Sequence, residues 1–237
     1  MSSQIVSLEE NVERLSDRAY EAVRHAILTC ALPPAAAISE AQLARDFNFG
    51  KAPIRAALAR LAQDRLVTAQ ARKGWRVAPV TLRDVRDIFE LRELLEAEAA
   101  RLAAGQVDAA ELSRLDKACA ISYVPGDADS AERFLATNRE FHLAIARRAG
   151  NGRLEAALEQ LLRESERLLH IGLALRDRTE EICHEHEELI DALVSGDSAG
   201  AARIAAAQVR EAHAMVRDAI LASDHVTDLP IRLERRP

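Results

Sequence analysis

The chain has 237 residues, 49% of them apolar and 30% charged, with a net charge of −6 and only 3% aromatic residues. That length holds one large or two modest domains, and a composition led by alanine and leucine favours helices packed on helices. No apolar run is long enough to cross a membrane, and the acidic N-terminus lacks the charged-then-apolar order of a secretion signal, so a cytoplasmic protein with no membrane partner is expected.

Residues 1–16 read as a flexible arm or a short extra helix. Asp17 can cap a helix from Arg18 to about Cys30, with Ala19, Val23, Ala26 and Ile27 on one face. Leu32-Pro33-Pro34 stops it. Ser39 is the next capping residue, and a short helix runs from Glu40 through Leu43 and Ala44 to Phe47. Asn48 and Gly50 break it, both being residues that tolerate positive φ. A further helix starts near Lys51 with Pro53 in its first turn, where a missing N–H costs nothing. Ile54, Ala57, Leu58 and Leu61 form its apolar side, while Lys51 and Arg55 share an exposed edge at its start. A hairpin comes next, Val67–Thr68 to Trp75–Val77, tipped by Arg72, Lys73 and Gly74. Helix, turn, helix with a basic N-terminal edge, then a ribbon, is the layout of a winged helix-turn-helix that reads a major groove. Residues 40–80 carry eight Lys and Arg against Glu40, Asp46 and Asp64, a local balance of +5 in an acidic chain. That asymmetry suits a phosphate-binding patch.

These residues resemble the GntR family of bacterial regulators. The matching positions are Ala19-Tyr20, Val23, Ala26-Ile27-Leu28, Leu32, Pro34, Ile38, Glu40, Leu43-Ala44, Pro53-Ile54-Arg55, Ala57-Leu58, Leu61 and Gly74. Order and gaps agree over about the first eighty residues. Two departures stand out: Gly50-Lys51 where Ser/Thr-Arg is usual, and Ala41 where arginine is common. Lysine offers a point charge rather than a bidentate fork, so the base sequence read can differ from that of other members.

The reader domain is placed at residues 17–79, with Thr81 capping the first helix of the second domain. From Leu82 the pattern is helical: Leu82–Ala104, Ala109–Ser122, a helix capped by Asp129 or Ser130 and reaching Ala149, then Arg153–Leu175, Thr179–Val194 and Ala199–Ala222. Val124-Pro125-Gly126-Asp127 is a loop, and residues 224–237 form a polar tail. The fold class is therefore mainly α: an N-terminal winged helix-turn-helix and a C-terminal all-α helical bundle over residues 80–223. Cys30, Cys119 and Cys183 are too few and scattered for a disulfide framework or a zinc ribbon, and buried free thiols are expected.

The second domain resembles the FCD ligand-binding domain of the FadR-like branch. The residues that carry this are Ile88-Phe89-Glu90-Leu91-Arg92 with Leu95-Glu96, Asn138 with Phe141-His142, His184 to Leu193 with His186 inside it, and Gly196-Asp197. Six helices favour its VanR-like variant. The resemblance implies a divalent metal, zinc or nickel, held by Asn138 and His142 one turn apart, by His186, and at a fourth position that falls on Gln208 rather than a histidine. Glutamine ligates weakly through its carbonyl oxygen. His213 lies five residues on, roughly 140° around the helix, and is a poor substitute. Without metal, the same polar groups suit an organic acid, as does Arg92, whose guanidinium matches a carboxylate. Its alternative partners are Glu96 and Glu140.

The expected function is a homodimeric, sequence-specific repressor on a near-palindromic operator, controlled by a small carboxylate effector. Lys51, Arg55 and Arg60 would face DNA, with Arg72, Lys73 and Gly74 on the wing; Arg92, Asn138, His142 and His186 would hold the effector. No catalytic set is visible. His184-Glu185-His186 lacks the spacing of a zinc hydrolase motif. A metal-dependent enzyme on a small acid, or a scaffold that no longer binds DNA, are the alternatives.

Overall fold

The structure is a computed structural model that describes residues 2–124, 127–175 and 179–222. Part of the expected loop (Pro125, Gly126), the side chain of Cys183 and the tail from residue 223 lie outside the described residues. The N-terminal domain comprises α1 (Ser2–Leu28), β1 (Ala37–Ile38), α2 (Glu40–Asp46), α3 (Lys51–Gln63), β2 (Val67–Gln70) and β3 (Gly74–Val77). The bundle comprises α4 (Leu82–Ala103), α5 (Ala109–Ser122), α6 (Ala128–Arg148), α7 (Gly152–Leu175), α8 (Thr179–Ser195) and α9 (Ser198–Ala222).

Two features of the N-terminal domain differ from the expectation. Asp17 does not cap a helix, and residues 2–16 are neither a separate arm nor an extra helix, because α1 runs unbroken from Ser2 past Asp17. The segment before Asp17 has no Gly or Pro to break it. Gly50 is not in the left-handed region: it is the N-cap of α3 at φ −69, while Asn48 alone takes the positive φ of the turn at 55. Ser39 caps α2 as expected, its side chain accepting from the Gln42 N–H. Ala19, Val23, Ile27, Leu43, Ile54, Leu58, Leu61, Val67 and Val77 form one core under the three helices. Burial of those side chains, at about 25 cal/mol per Å² of apolar surface, dominates what holds the reader together.

The wing carries a third strand. β3 lies between β1 and β2, with Ile38 opposite Trp75 and Val67 opposite Val77. This explains the glycine at the hairpin tip. Gly74 has φ +86, and a Cβ there would come within 3.0 Å of the Ile38 carbonyl oxygen of β1.

The link between the domains is short and held. Val80 is buried in the bundle. Thr81 and Asp84 form a capping box that starts α4. Arg167 of α7 donates to the carbonyls of Ala78 (2.8 Å) and Pro79 (3.1 Å). A second seam joins α1 to the bundle: Arg24 pairs with Glu132 of α6 and Glu166 of α7, and His25 Nδ1 lies 2.5 Å from Glu132. In the bundle, Asp127 caps α6 in place of Asp129 or Ser130. Cys119 is a buried thiol and Cys30 a half-buried one.

Candidate nucleic-acid interface and effector pocket

The start of α3 presents Lys51 and Arg55 to solvent, while Ile54, Ala57, Leu58 and Leu61 hold the other side in the core. Arg55 is 69% exposed and is already engaged by a neighbour. Its Nε donates to Glu40 Oε1 (3.1 Å) and Oε2 (3.2 Å), and its Nη2 donates to Oε2 (2.9 Å). Arg72, Lys73 and Gly74 are exposed at the wing tip. Arg60 is not with them. It sits about two and a half turns into α3, pairs with Asp17 of α1, and stacks 4.2 Å above the Tyr20 ring. On a helix it lies roughly 140° from Arg55, so it braces α3 on α1 and leaves the exposed edge to Lys51 and Arg55. Glu40 was absent from the expected site, since its partner is fifteen residues away on another helix.

In the bundle, Arg92, Glu96, Asn138, His142, Glu185, His186 and Gln208 line one cavity of about 40 Å³, closed by Phe134, Leu169, Leu173 and Met215. That volume holds a few water-sized groups, so a larger acid needs side chains to move. The structure thus gathers all the residues expected for the pocket, from α4, α6, α8 and α9. Their partners differ from expectation at Arg92. Its Nε donates to Glu96 Oε1 (2.8 Å), its Nη1 to Ser165 Oγ (3.1 Å), and Phe89 packs beneath it at 5.2 Å. A buried guanidinium cannot wait for a ligand without a counter-charge, and Glu96, one turn on, supplies it. Arg92 is therefore neutralised within the protein, and an incoming carboxylate competes with Glu96.

Both histidines are oriented by carboxylates. His142 Nδ1 lies 3.0 Å from Glu96 Oε2, and His186 Nδ1 lies 3.2 Å from Asp116 Oδ1 of α5. The rings meet edge to face, 5.8 Å apart, and His186 stacks on Phe141 at 4.0 Å. Burial pushes the Glu96 carboxyl up, but the charges of Arg92 and His142 outweigh it and hold the group down at about 2. Burial pushes the His186 imidazole down and favours its neutral form, while the bond to Asp116 pulls the other way. Gln208 donates from Nε2 to the Glu185 carbonyl (2.5 Å), and its buried Oε1 has no hydrogen-bond partner among the described residues.

Carboxylates on Nδ1 are the outer-shell arrangement that aims Nε2 of an imidazole at a metal. Two such imidazoles, the Asn138 amide and the Gln208 oxygen are the donor types that would hold a divalent ion, weakly for want of a third imidazole. Among the described residues, no group of three or more His, Cys, Asp or Glu side chains is placed to hold a metal. His184 is exposed beside Glu188, and His213 stacks on Phe89 at 5.2 Å, so neither replaces Gln208. Asp116 was not foreseen; it reaches His186 across seventy residues of sequence.

Comparison with known proteins agrees with both halves. The model of the bacterial regulatory proteins of the gntR family matches residues 15–77, and that of the FCD domain matches residues 87–211. The chain is 30% identical over 167 residues to the HTH-type transcriptional repressor GlaR of Escherichia coli, covering 67% of this chain and 76% of that one. It is 28% identical over 178 residues to YdhC of Bacillus subtilis, an uncharacterized HTH-type transcriptional regulator, covering 73% of this chain and 77% of the relative. Among solved structures, E. coli McbR/YncC superposes with a TM-score of 0.70 at 25% identity, covering 86% of this chain and 97% of that chain. These relatives are transcriptional regulators rather than enzymes. The chain belongs to the GntR family of transcriptional regulators, with a gntR-type helix-turn-helix followed by an FCD domain.

Proposed function

We propose that this regulator is a repressor that binds a near-palindromic operator as a homodimer in the cytoplasm and is controlled by a small carboxylate, a divalent metal, or the two together, in the α4–α6–α8–α9 pocket. The exposed Lys51–Arg55 edge at the start of α3, opposite the side held in the core, carries the DNA-binding half of this reading. Repression is supported by the likeness to GlaR, which is named a repressor. The pocket supports the effector half, since buried polar groups with one orphaned oxygen favour a ligand that supplies the missing partner. When bound, a metal would supply a Lewis-acidic centre for an effector carboxylate; Asn138, His142, His186 and Gln208 would hold it. Glu96 and Asp116 orient the imidazoles, and Arg92 keeps Glu96 ionised.

Selection of duplexes from a random library by the full chain tests the first half. Arg55→Ala should weaken binding to the enriched duplex about tenfold to a hundredfold, the discrimination of one bidentate arginine. Equal affinity in the variant sinks the assignment.

A further inference from the structure

The bond between Arg55 and Glu40 has a geometric consequence for base reading. A guanidinium carries five N–H groups, one on Nε and two on each Nη. Glu40 takes the Nε edge, by the contacts at 2.9–3.2 Å to Nε and Nη2. What is left is the end of the fork: the Nη1 hydrogens and the second on Nη2. Those point away from Glu40, on a side chain that is 69% exposed. A parallel pair of N–H groups is what the O6 and N7 of a guanine accept in the major groove. Glu40 is itself held in place. It is the first residue of α2, and its side chain is only 26% exposed. The carboxylate therefore ties α2 to α3 at the point where the fork emerges.

We infer that Glu40 is a positioning residue for base recognition, fixing the Arg55 fork end-on so that it reads a guanine rather than folding onto the nearest phosphate. The inference rests on Arg55 as a base reader. A carboxylate beside a phosphate backbone costs general affinity and gains discrimination. Removing it acts in opposite directions on specific and non-specific duplexes. A role confined to holding the domain together would weaken both.

The test uses the full chain, the duplex enriched by selection, and a scrambled duplex of equal length, at one salt concentration. Glu40→Gln keeps the shape but offers a single acceptor. It should bind the enriched duplex about tenfold less tightly and the scrambled duplex as well as the wild type or better. In an Arg55→Ala background, Glu40→Gln should no longer weaken binding to the enriched duplex, because the residue it positions is gone, and any gain from removing the negative charge should be equal on the two duplexes. Three results overturn the inference: an unchanged preference between the duplexes, equal weakening of both, or a loss that persists in the Arg55→Ala background. If the wild type enriches no duplex, the base-reading role of Arg55 fails first and this inference fails with it.

Discussion

His170 shows how the seam between the domains sets its own pH range. It is 8% exposed on α7, and its Nε2 has no hydrogen-bond partner among the described residues. Burial pushes its imidazole down to about 4, and Arg24 and His25 push the same way against Glu132. The unfolded chain takes up the proton first, near pH 6.5, so stability is full above that pH and falls as the pH drops towards 4. By pH 5 the loss is about 2 kcal/mol. His170→Leu should leave stability at pH 7 within about 1 kcal/mol, because no hydrogen bond to Nε2 is lost. It should also flatten the fall between pH 7 and pH 5. Urea denaturation at both pH values reads the two numbers, and an acid limb as steep as the wild type's rules the idea out. At this scale the sequence was legible where partners are near. Glu96 stood beside Arg92 as a named alternative, one turn away. Asp116 and the Glu40–Arg55 pair were not legible, because contacts between separate helices leave no local pattern.

Elements were more legible than contacts. The six bundle helices lie within about two residues of their expected bounds, since period and caps are both local properties. β1 was missed because two residues have no period, and Ala37–Ile38 becomes a strand only through pairing with Arg76 and Trp75. α4 shows what an element can say about assembly. Val85, Phe89, Arg92, Glu96 and Ala99 face inward, yet Leu91 and Leu94 are 49% and 67% exposed on its outer face. Two leucines one turn apart on a charged helix suit burial against a second copy, and the proposed near-palindromic operator calls for two readers. Leu94→Glu should convert a dimer into a monomer by sedimentation at micromolar concentration, with little change in melting temperature, and should weaken operator binding. A wild type that sediments as a monomer while bound to its operator removes α4 from the assembly.

Across the whole molecule, α6 and α7 both touch the two halves, and α6 carries the pocket's Asn138 and His142. Asn138 and His142 line the pocket, while Glu132, about two turns earlier, holds Arg24 and His25 of α1. Leu135 lies between and lines both the pocket and a separate cavity of about 280 Å³ at the α1 seam. That space gives α1 and α6 room to shift, whereas Arg167 holds the linker carbonyls fast to α7. A ligand that draws Asn138 and His142 of α6 towards His186 and Gln208 would therefore move the Glu132 end of α6 against α1, and with it, in the proposed dimer, the spacing of the two readers. Coupling of this kind is worth about 1–3 kcal/mol, or roughly 5- to 150-fold in affinity. Nickel serves as the probe. It should raise the melting temperature of the wild type and of Arg24→Ala alike, but not of His142→Ala. It should shift operator affinity in the wild type by an amount within that range, and by much less in Arg24→Ala, where the pocket is intact and the seam is cut. If Arg24→Ala responds to nickel as fully as the wild type, the path runs through the Arg167-held linker instead. If nickel leaves the wild-type melting temperature unchanged, the metal reading of the pocket fails before the question of coupling arises.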